Sequence, residues 1–316
     1  MSHGPDTMTT QRLAPVILLL GPTATGKTEI AIELHNEHPV DVISVDSAMV
    51  YRGLDIGTAK PLPEVLARCP HRLIDICDPT EAYSAGRFLE DATREIERSH
   101  AAGRVPLLVG GTMLYHRVIQ SGIAELPARD ETLRAELDAD AAARGWPALH
   151  AELALVDPAA AARIEPNDGQ RIQRALEVFR LTGRALSEWH GDAGRQAPWR
   201  FVKIGLWPDD RAALHERIAR RFDEMMSAGF LDEVRQLLAV PGLEPGLPAM
   251  RCVGYRQLAA HLRGECALEE ALARARAATR QLAKRQMTWM RAEHDLAKVA
   301  LADRAAVNRS LVTVDF

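Results

Sequence analysis

Cysteine is scarce in this chain of 316 residues: Cys69, Cys77, Cys252 and Cys266 stand far apart, with no C-x-x-C pair and no histidine at zinc-ligand spacing. That pattern excludes a disulfide scaffold and a zinc module, and the expectation is a reduced cytoplasmic protein. Long apolar runs are also missing. The longest, residues 14–20, falls far below the roughly 20 residues that span a bilayer, and no basic segment with a small-residue cleavage site precedes it. A soluble protein that is not exported and contacts no membrane is expected. Internal repeats and low-complexity tracts are absent, which argues against solenoids and arrays. Charge of one sign is lacking too: the net charge is -4, too mild to identify a partner until its distribution is known.

What is present suffices for an ordinary core. Hydrophobic residues make up 47% of the chain, and the length permits one or two domains that fold alone as a monomer. Residues 1–14, with Gly4, Pro5 and several threonines, read as a disordered tail. Short β-rich runs at 16–20, 42–45, 73–76 and 105–109 alternate with helical patterns, which predicts a parallel sheet flanked by helices. A further run at 201–207 is expected to join that sheet, and 311–316 has a strand-like pattern. Between 122 and 199 strands vanish and helices are predicted at 131–144, 147–156 and 170–182, the last ending on Gly183 as a C-cap. The expected organisation is therefore an α/β core of residues 15–122 and 200–316, with a helical insertion domain at 123–199. Residues 208–240 and 267–292 are also helical in pattern, separated by the Pro/Gly cluster at 241–248.

Gly21-Pro22-Thr23-Ala24-Thr25-Gly26-Lys27-Thr28 matches the P-loop pattern G-x-x-x-x-G-K-[ST], directly after a predicted strand and before a predicted helix. In such a loop successive N–H groups point inward, the helix N-terminus adds positive potential, Lys27 neutralises phosphate oxygens, and the Thr28 hydroxyl can ligate Mg2+. Chance produces a match in a chain this long on the order of once in a hundred. The loop alone does not choose between ATP hydrolysis, phosphorylation of a small molecule, and retention of a diphosphate that leaves while another group is transferred.

The segment from Val45-Asp46-Ser47-Ala48-Met49 through Gly57-Thr58-Ala59-Lys60-Pro61 starts at a predicted strand end, where α/β ligand sites gather. Further along stand His71-Arg-Leu-Ile-Asp75, Tyr83-Ser84-Ala85, Leu108-Val-Gly-Gly-Thr112-Met-Leu-Tyr115, Gln170-Arg171-Ile172-Gln173-Arg174-Ala-Leu-Glu177, Arg251-Cys252-Val253-Gly254-Tyr255-Arg256, and the run from Thr279 to Arg291. In this order, and covering nearly the whole chain, they resemble the tRNA dimethylallyltransferase (isopentenyltransferase) family, and the fold that goes with it is P-loop NTPase-like. The resemblance implies transfer of a dimethylallyl group from dimethylallyl diphosphate to the exocyclic amine of the adenosine immediately 3′ of the anticodon, in tRNAs reading codons that begin with uridine. It implies Mg2+ as cofactor and the anticodon stem-loop as partner. The residues it implies for tRNA contact are Asp46, Ser47, Ala48, Met49, Thr112, Arg134, the 170–174 run, the 251–256 run, and Lys284, Arg285, Gln286, Met287, Thr288, Trp289, Met290 and Arg291.

Chemistry can be laid against these residues independently. An exocyclic purine amine is a poor nucleophile and must lose a proton as it attacks, so Asp46 is the candidate base; an Asp-Ser pair after a strand can equally cap a turn. Thr112, after two glycines at a strand end, is placed to contact the diphosphate near the breaking bond, or to bond locally to backbone. Asp55, Lys60 and Asp75 are supporting candidates. Diphosphate and tRNA are expected to enter opposite ends of one channel that meet near Asp46 and Thr112.

No acidic residue lies between 271 and 292, yet Arg274, Arg276, Arg280, Lys284, Arg285 and Arg291 do. On a helix Arg276, Arg280 and Lys284 form a stripe that could track phosphates, or merely a solvated face. Arg251 and Arg256 bracket Gly254 and Tyr255, a combination suited to phosphate contact and base stacking. Three rivals stay open: a P-loop kinase of a small metabolite, a prenyltransferase of free adenine nucleotides, and a non-catalytic RNA-binding nucleotide switch.

Overall fold

The computed structural model describes residues 13–124, 126–191, 197–314 and 316. All but Leu13 and Ala14 of the expected tail lies outside the described residues. Six strands form one parallel sheet: β1 (Pro15–Leu20), β2 (Val40–Val45), β3 (His71–Arg72), β4 (Val105–Gly110), β5 (Arg200–Trp207) and β6 (Leu296–Ala300), in the order β3-β2-β4-β1-β5-β6. The chain divides into two compact units. One runs through Gln120 and resumes from Pro198 to Phe316; the other is Ser121–Ala197.

The first unit holds the sheet. Its helices are α1 (Lys27–Glu37), α2 (Pro63–Arg68), α3 (Ala85–Ala101) and α4 (Met113–Ser121), whose last residue falls in the second unit. The second unit contains α5 (Glu131–Arg144), α6 (Trp146–Val156), α7 (Pro158–Ala161), α8 (Gly169–Thr182) and α9 (Leu186–Gly191). The first unit then resumes with α10 (Arg211–Ser227), α11 (Phe230–Leu238), α12 (Tyr255–Leu262), α13 (Leu268–Ala292) and α14 (Ala305–Ser310). Alternate residues of β1 enter separate cores: Val16, Leu18 and Leu20 pack with Phe88, Tyr115, Tyr255 and Met290, and Ile17 and Leu19 pack with Ile30, Leu34 and Val307. Burial on both faces is why the strand reads as an unbroken apolar run.

Two strand expectations are corrected. The strand near 73–76 is instead His71–Arg72, because Leu73 and Asp75 take left-handed φ values of 62° and 56° that end the extended chain. Residues 311–313 form a turn, with Leu311 and Val314 buried beneath the sheet; the last strand is Leu296–Ala300. That strand escaped notice because its only β-branched residue is Val299, and most of its side chains face solvent at the sheet edge. Among the described residues no helix is long and apolar enough to cross a membrane, and all four cysteines are free.

The second unit has its own core of Leu137, Leu149, Leu153, Ile172 and Leu176. Asp130 caps α5 by accepting from Leu133 N at 2.8 Å, and Gly183, at φ 68°, closes α8. Glu177 of α8 is fully buried and accepts from Arg134 Nε and an Arg134 terminal nitrogen, each at 2.8 Å, from Arg174 at 2.7 Å and from Asp130 N at 2.9 Å. Burial by itself would raise this carboxyl, but the bonds from Arg134, Arg174 and Asp130 more than offset it and hold its pKa at about 2. A depressed carboxylate contributes stability that is complete above its ordinary value and is lost as pH falls through the folded value. Replacing Glu177 by Ala strands two guanidinium groups and is expected to cost about 3–5 kcal/mol. Urea unfolding of E177A and wild type at pH 7 and pH 3 checks this, the gap narrowing at the lower pH.

Candidate active site

Leu20 and Val45 are each in register with Gly110, so β1, β2 and β4 end at one level. The three loops that follow carry the candidate chemistry, as expected for the carboxyl edge of a parallel sheet. Gly110 is required there: a Cβ would overlap the Val45 carbonyl. Buried His116 of α4 hydrogen-bonds the Gly110 carbonyl through Nε2 at 3.3 Å, so that nitrogen carries the proton. Burial pushes its pKa down to about 4, and the ring is neutral at pH 7.

Residues 21–26 form the loop between β1 and α1 and lead into Lys27 and Thr28 at the start of the helix, as the sequence pattern requires, with Ala24 and Gly26 at φ 63° and 82°. Lys27 Nζ turns back on its own loop, donating to the carbonyls of Gly21 at 2.9 Å and Pro22 at 2.8 Å. Burial, with Arg221 adding to it, lowers its pKa to about 8 against the opposing pull of Asp46 and Glu29. A cationic side chain so poorly solvated is a ready seat for an anion. Thr28 lines the adjoining cavity, and its Oγ1 makes no hydrogen bond among the described residues.

This cavity, about 930 Å³, lies wholly in the first unit. Its polar wall includes residues 23–26 of the loop, residues 27–29 of α1, Asp46, and Arg217, Arg220, Arg221 and Glu224 of α10. Met49, Ile56, Leu66, Met225 and Leu282 make an apolar side. Asp46 Oδ1 accepts from Ala48 N at 2.8 Å and Met49 N at 3.3 Å, so the turn-capping reading is correct. Oδ2 makes no hydrogen bond among the described residues, which leaves it for chemistry in the cavity. Capping and catalysis are thus two oxygens of one side chain.

Thr112 stands apart from the expectation. Its Oγ1 accepts from Ser47 N at 3.0 Å and lies 3.4 Å from Ser47 Oγ, while Gly110 and Gly111 line the cavity in its place. The hydroxyl braces the Asp46 turn against the end of β4. Asp55, Lys60 and Asp75 do line the cavity, with buried Lys60 Nζ paired to both carboxylates and donating to Tyr51 O at 3.0 Å.

Several residues expected to touch RNA face inward. Tyr255 is fully buried and donates to Glu233 Oε1 at 2.6 Å, so base stacking on its ring is excluded in this conformation. Gly254, Met287 and Met290 are buried with it, and Ile172 lies in the core of the second unit. Arg134 and Arg174 are engaged by Glu177, and Gln173 donates to Asp138 at 2.7 Å. Arg171 is exposed beside Asp168 at 3.1 Å, and Gln170 is exposed. Gln286, on the buried side of α13 with Ala283, Met287 and Met290, lines the site. The exposed surface left near it on α13 comprises Lys284, Arg285, Thr288, Trp289 and Arg291, with Arg117 5.8 Å over the Trp289 ring. In the basic stripe, Arg276 pairs with Asp223, whereas Arg280 and Lys284 have no carboxylate partner among the described residues. Arg251 and Arg256 are exposed, Cys252 and Val253 half-buried.

Sequence reasoning overlooked the α10 arginines. Arg217 and Arg221 are spaced i, i+4, between the buried positions Leu214, Ile218 and Phe222, and this one-sided pattern was there to be read. Burial lowers the Arg221 pKa, which marks its guanidinium as unusually desolvated. Glu233 was overlooked too. Its carboxylate accepts from Asp55 N at 3.1 Å, Ile56 N at 2.6 Å and Gly57 N at 3.1 Å, fixing the turn that leads to Lys60. Only glycine fits at 57, where a Cβ would overlap the Phe230 ring.

Residues 49–293 match the family model described as IPP transferase, and residues 14–79 match that of isopentenyl transferase. The tRNA dimethylallyltransferase of Thioalkalivibrio sulfidiphilus is 59% identical over 278 residues, 88% of this chain and 87% of that protein. The tRNA dimethylallyltransferase of Paraburkholderia xenovorans is 52% identical over 312 residues, 98% and 99% of the two chains. The crystal structure of the full-length tRNA isopentenylpyrophosphate transferase of Bacillus halodurans superposes with a TM-score of 0.68 at 36% identity, covering 95% of this chain and 97% of that one. A eukaryotic dimethylallyltransferase crystallised acting on tRNA shares the fold, with a TM-score of 0.75 at 24% identity over 94% of this chain and 78% of that one. With a family model spanning most of its length and relatives this similar along nearly all of it, the chain belongs to the IPP transferase family.

Proposed function

We propose that this protein transfers a dimethylallyl group from dimethylallyl diphosphate to the exocyclic amine of the adenosine 3′ of the anticodon in tRNA, giving N6-isopentenyladenosine and diphosphate. The observation that carries the reading is that an unengaged carboxylate oxygen of Asp46 and an anion-seeking P-loop line one cavity. At about 930 Å³ it lies at the upper end of small-molecule sites, with room for a prenyl diphosphate and a flipped purine together. The apolar side formed by Met49, Ile56, Leu66, Met225 and Leu282 suits a five-carbon chain.

In the reaction the adenine nitrogen forms a bond to C1 of the dimethylallyl group as the C1–O bond breaks, and the electron pair leaves with the diphosphate. The nitrogen's proton passes to Asp46 Oδ2. Charge accumulating on the leaving oxygens is met by Lys27, by the inward amides of the loop and by Arg217 and Arg221. Magnesium fits here: no cluster of three acidic, cysteine or histidine ligands exists among the described residues, but a single hydroxyl, Thr28 Oγ1, beside diphosphate oxygens and water is a donor set this ion accepts. When bound it supplies further neutralisation of the leaving group. The acceptor tRNA is read as lying along the exposed Lys284, Arg285, Trp289 and Arg291 face, with Arg171 and Gln170 of the helical unit as further contacts. A monomer in the cytoplasm is the working state.

The assay that tests the reading supplies magnesium, labelled dimethylallyl diphosphate and either unmodified tRNA or free AMP, with labelled ATP in a parallel tube. Label in AMP alone, or phosphate transferred from ATP, would overturn it. Asp46→Asn keeps an acceptor for Ala48 N but cannot take a proton. Its turnover number is expected to fall about 10²–10⁴-fold with little change in melting temperature; undiminished transfer would remove Asp46 as base.

Lys27 gives an independent expectation. Its folded pKa, about 8, lies below the ordinary 10.5, so between these values the folded protein has released a proton that the unfolded chain keeps. Stability from this group therefore rises with pH through that window, and burying the cation costs most below pH 8. A bound diphosphate restores the charge. Titration calorimetry with magnesium pyrophosphate at pH 8.5, in buffers of different ionisation enthalpy, should show net proton uptake, and affinity should weaken above pH 8.

A further inference from the structure

Residues 55–61 belong to no strand or helix, yet six of the seven line the cavity. Short-range bonds curl the segment: Thr58 Oγ1 donates to Leu54 O at 2.7 Å, Ala59 N to Ile56 O at 2.9 Å and Lys60 N to Asp55 O at 2.9 Å. Its attachments to the rest of the protein lie at its two ends. At the far end the Lys60 ammonium is bound to Tyr51 O and to Asp75. At the near end stands Glu233 of α11. Its Oε2 accepts from Asp55 N at 3.1 Å and Ile56 N at 2.6 Å, and its Oε1 accepts from Gly57 N at 3.1 Å and from the Tyr255 hydroxyl at 2.6 Å. Beside Gly57 the rings of Phe230 and Tyr255 come close enough to exclude a Cβ.

Three successive N–H groups converging on one anion is how a backbone nest holds a ligand. Here the protein supplies the anion itself, through a side chain 176 or more positions further along the chain. The seat calls for a carboxylate. All four of its partners are donors, so a glutamine would turn its NH2 either toward Asp55 N and Ile56 N or toward Gly57 N and the Tyr255 hydroxyl. Bonds to an ionised acceptor are also the stronger kind. We propose that Glu233 is a positioning residue for the transfer reaction: its carboxylate, seated in the 55–57 amides and tied to Tyr255, holds the cavity wall so that Ile56 meets the prenyl chain of the donor. Glu233 is not among the residues lining the cavity and acts through that wall. Through Tyr255 the same carboxylate joins the wall to the 251–256 run, whose arginines face outward. The inference rests on the dimethylallyl-diphosphate reading and names what keeps one side of that site in shape.

The test uses the full-length protein, magnesium, unmodified tRNA and labelled dimethylallyl diphosphate. In Glu233→Ala the KM for dimethylallyl diphosphate is expected to rise about tenfold or more while kcat falls less, because Asp46 and Lys27 are untouched. Sodium formate supplies a carboxylate that fits the vacated seat. It is expected to recover a large part of the lost KM in the alanine variant and to leave wild type unchanged, with sodium chloride at the same ionic strength recovering nothing. Hydrogen exchange read by mass spectrometry without substrates follows the wall directly: the amides of 55–57 should lose protection in the alanine variant and regain it with formate. An unchanged KM, unchanged exchange at 55–57, or the same response to formate and chloride overturns the role of Glu233. Should the alanine variant not fold, Tyr255→Phe keeps the carboxylate and removes one of its bonds; a rise of about threefold in the same KM is then expected, and no rise overturns the proposal. A wild type that moves no label from dimethylallyl diphosphate to tRNA overturns the donor reading, and exchange at 55–57 then decides the seating of the wall alone.

Discussion

The contact on which the site depends is between two pieces of backbone. Gly110 lies so close to the Val45 carbonyl that no side chain could stand between them, and Thr112 N reaches back to the same carbonyl at 3.2 Å. This approach brings the ends of β2 and β4 to the same height as the end of β1. Everything that reads as chemistry follows from that shared edge: the phosphate loop after Leu20, the Asp46 turn after Val45 and the Gly110-Gly111 strip. Side chains then lock the arrangement, Thr112 to Ser47, His116 to Gly110, and Gln286 to both Gly111 and Thr23.

Around that edge the protein buries two cations, Lys27 and Arg221, away from solvent. Lys27, Arg217, Arg220 and Arg221 share one cavity, where Asp46 and Glu29 are the carboxylates acting on Lys27, Glu224 pairs with Arg220 at 3.8 Å, and Asp55 and Asp75 are bound to Lys60. Such an arrangement is costly when empty and complementary to a leaving group that gains negative charge. The Glu233 carboxylate serves the opposite purpose, filling an amide turn from within so that the 55–57 segment is rigid and attracts no anion of its own.

Local patterns made much of this legible in the sequence. The P-loop, the alternation of strands and helices, and the Gly183 cap are written in adjacent residues, and the structure has them where the pattern puts them. The two misplaced strands had weak local signals: Leu73 and Asp75 look extended until their positive φ is known, and β6 is an edge strand with little apolar periodicity. Motif residues were identified as a set, but a motif does not say which way its members face. Tyr255 and Gln286 stand beside arginines that look outward, yet both turn inward, because their neighbours in space come from α11 and from the P-loop. The α10 arginines were legible in spacing and were missed for want of any local motif.

Thr23 and Gln286 are 263 positions apart. As the chain leaves the ribosome from its amino end, β1 and the phosphate loop emerge well before the glutamine that contacts the loop. Long-range closures of this kind form late and wait on the whole topology. The nascent protein therefore carries its phosphate-binding loop without the Thr23 and Gly111 contacts until α13 docks.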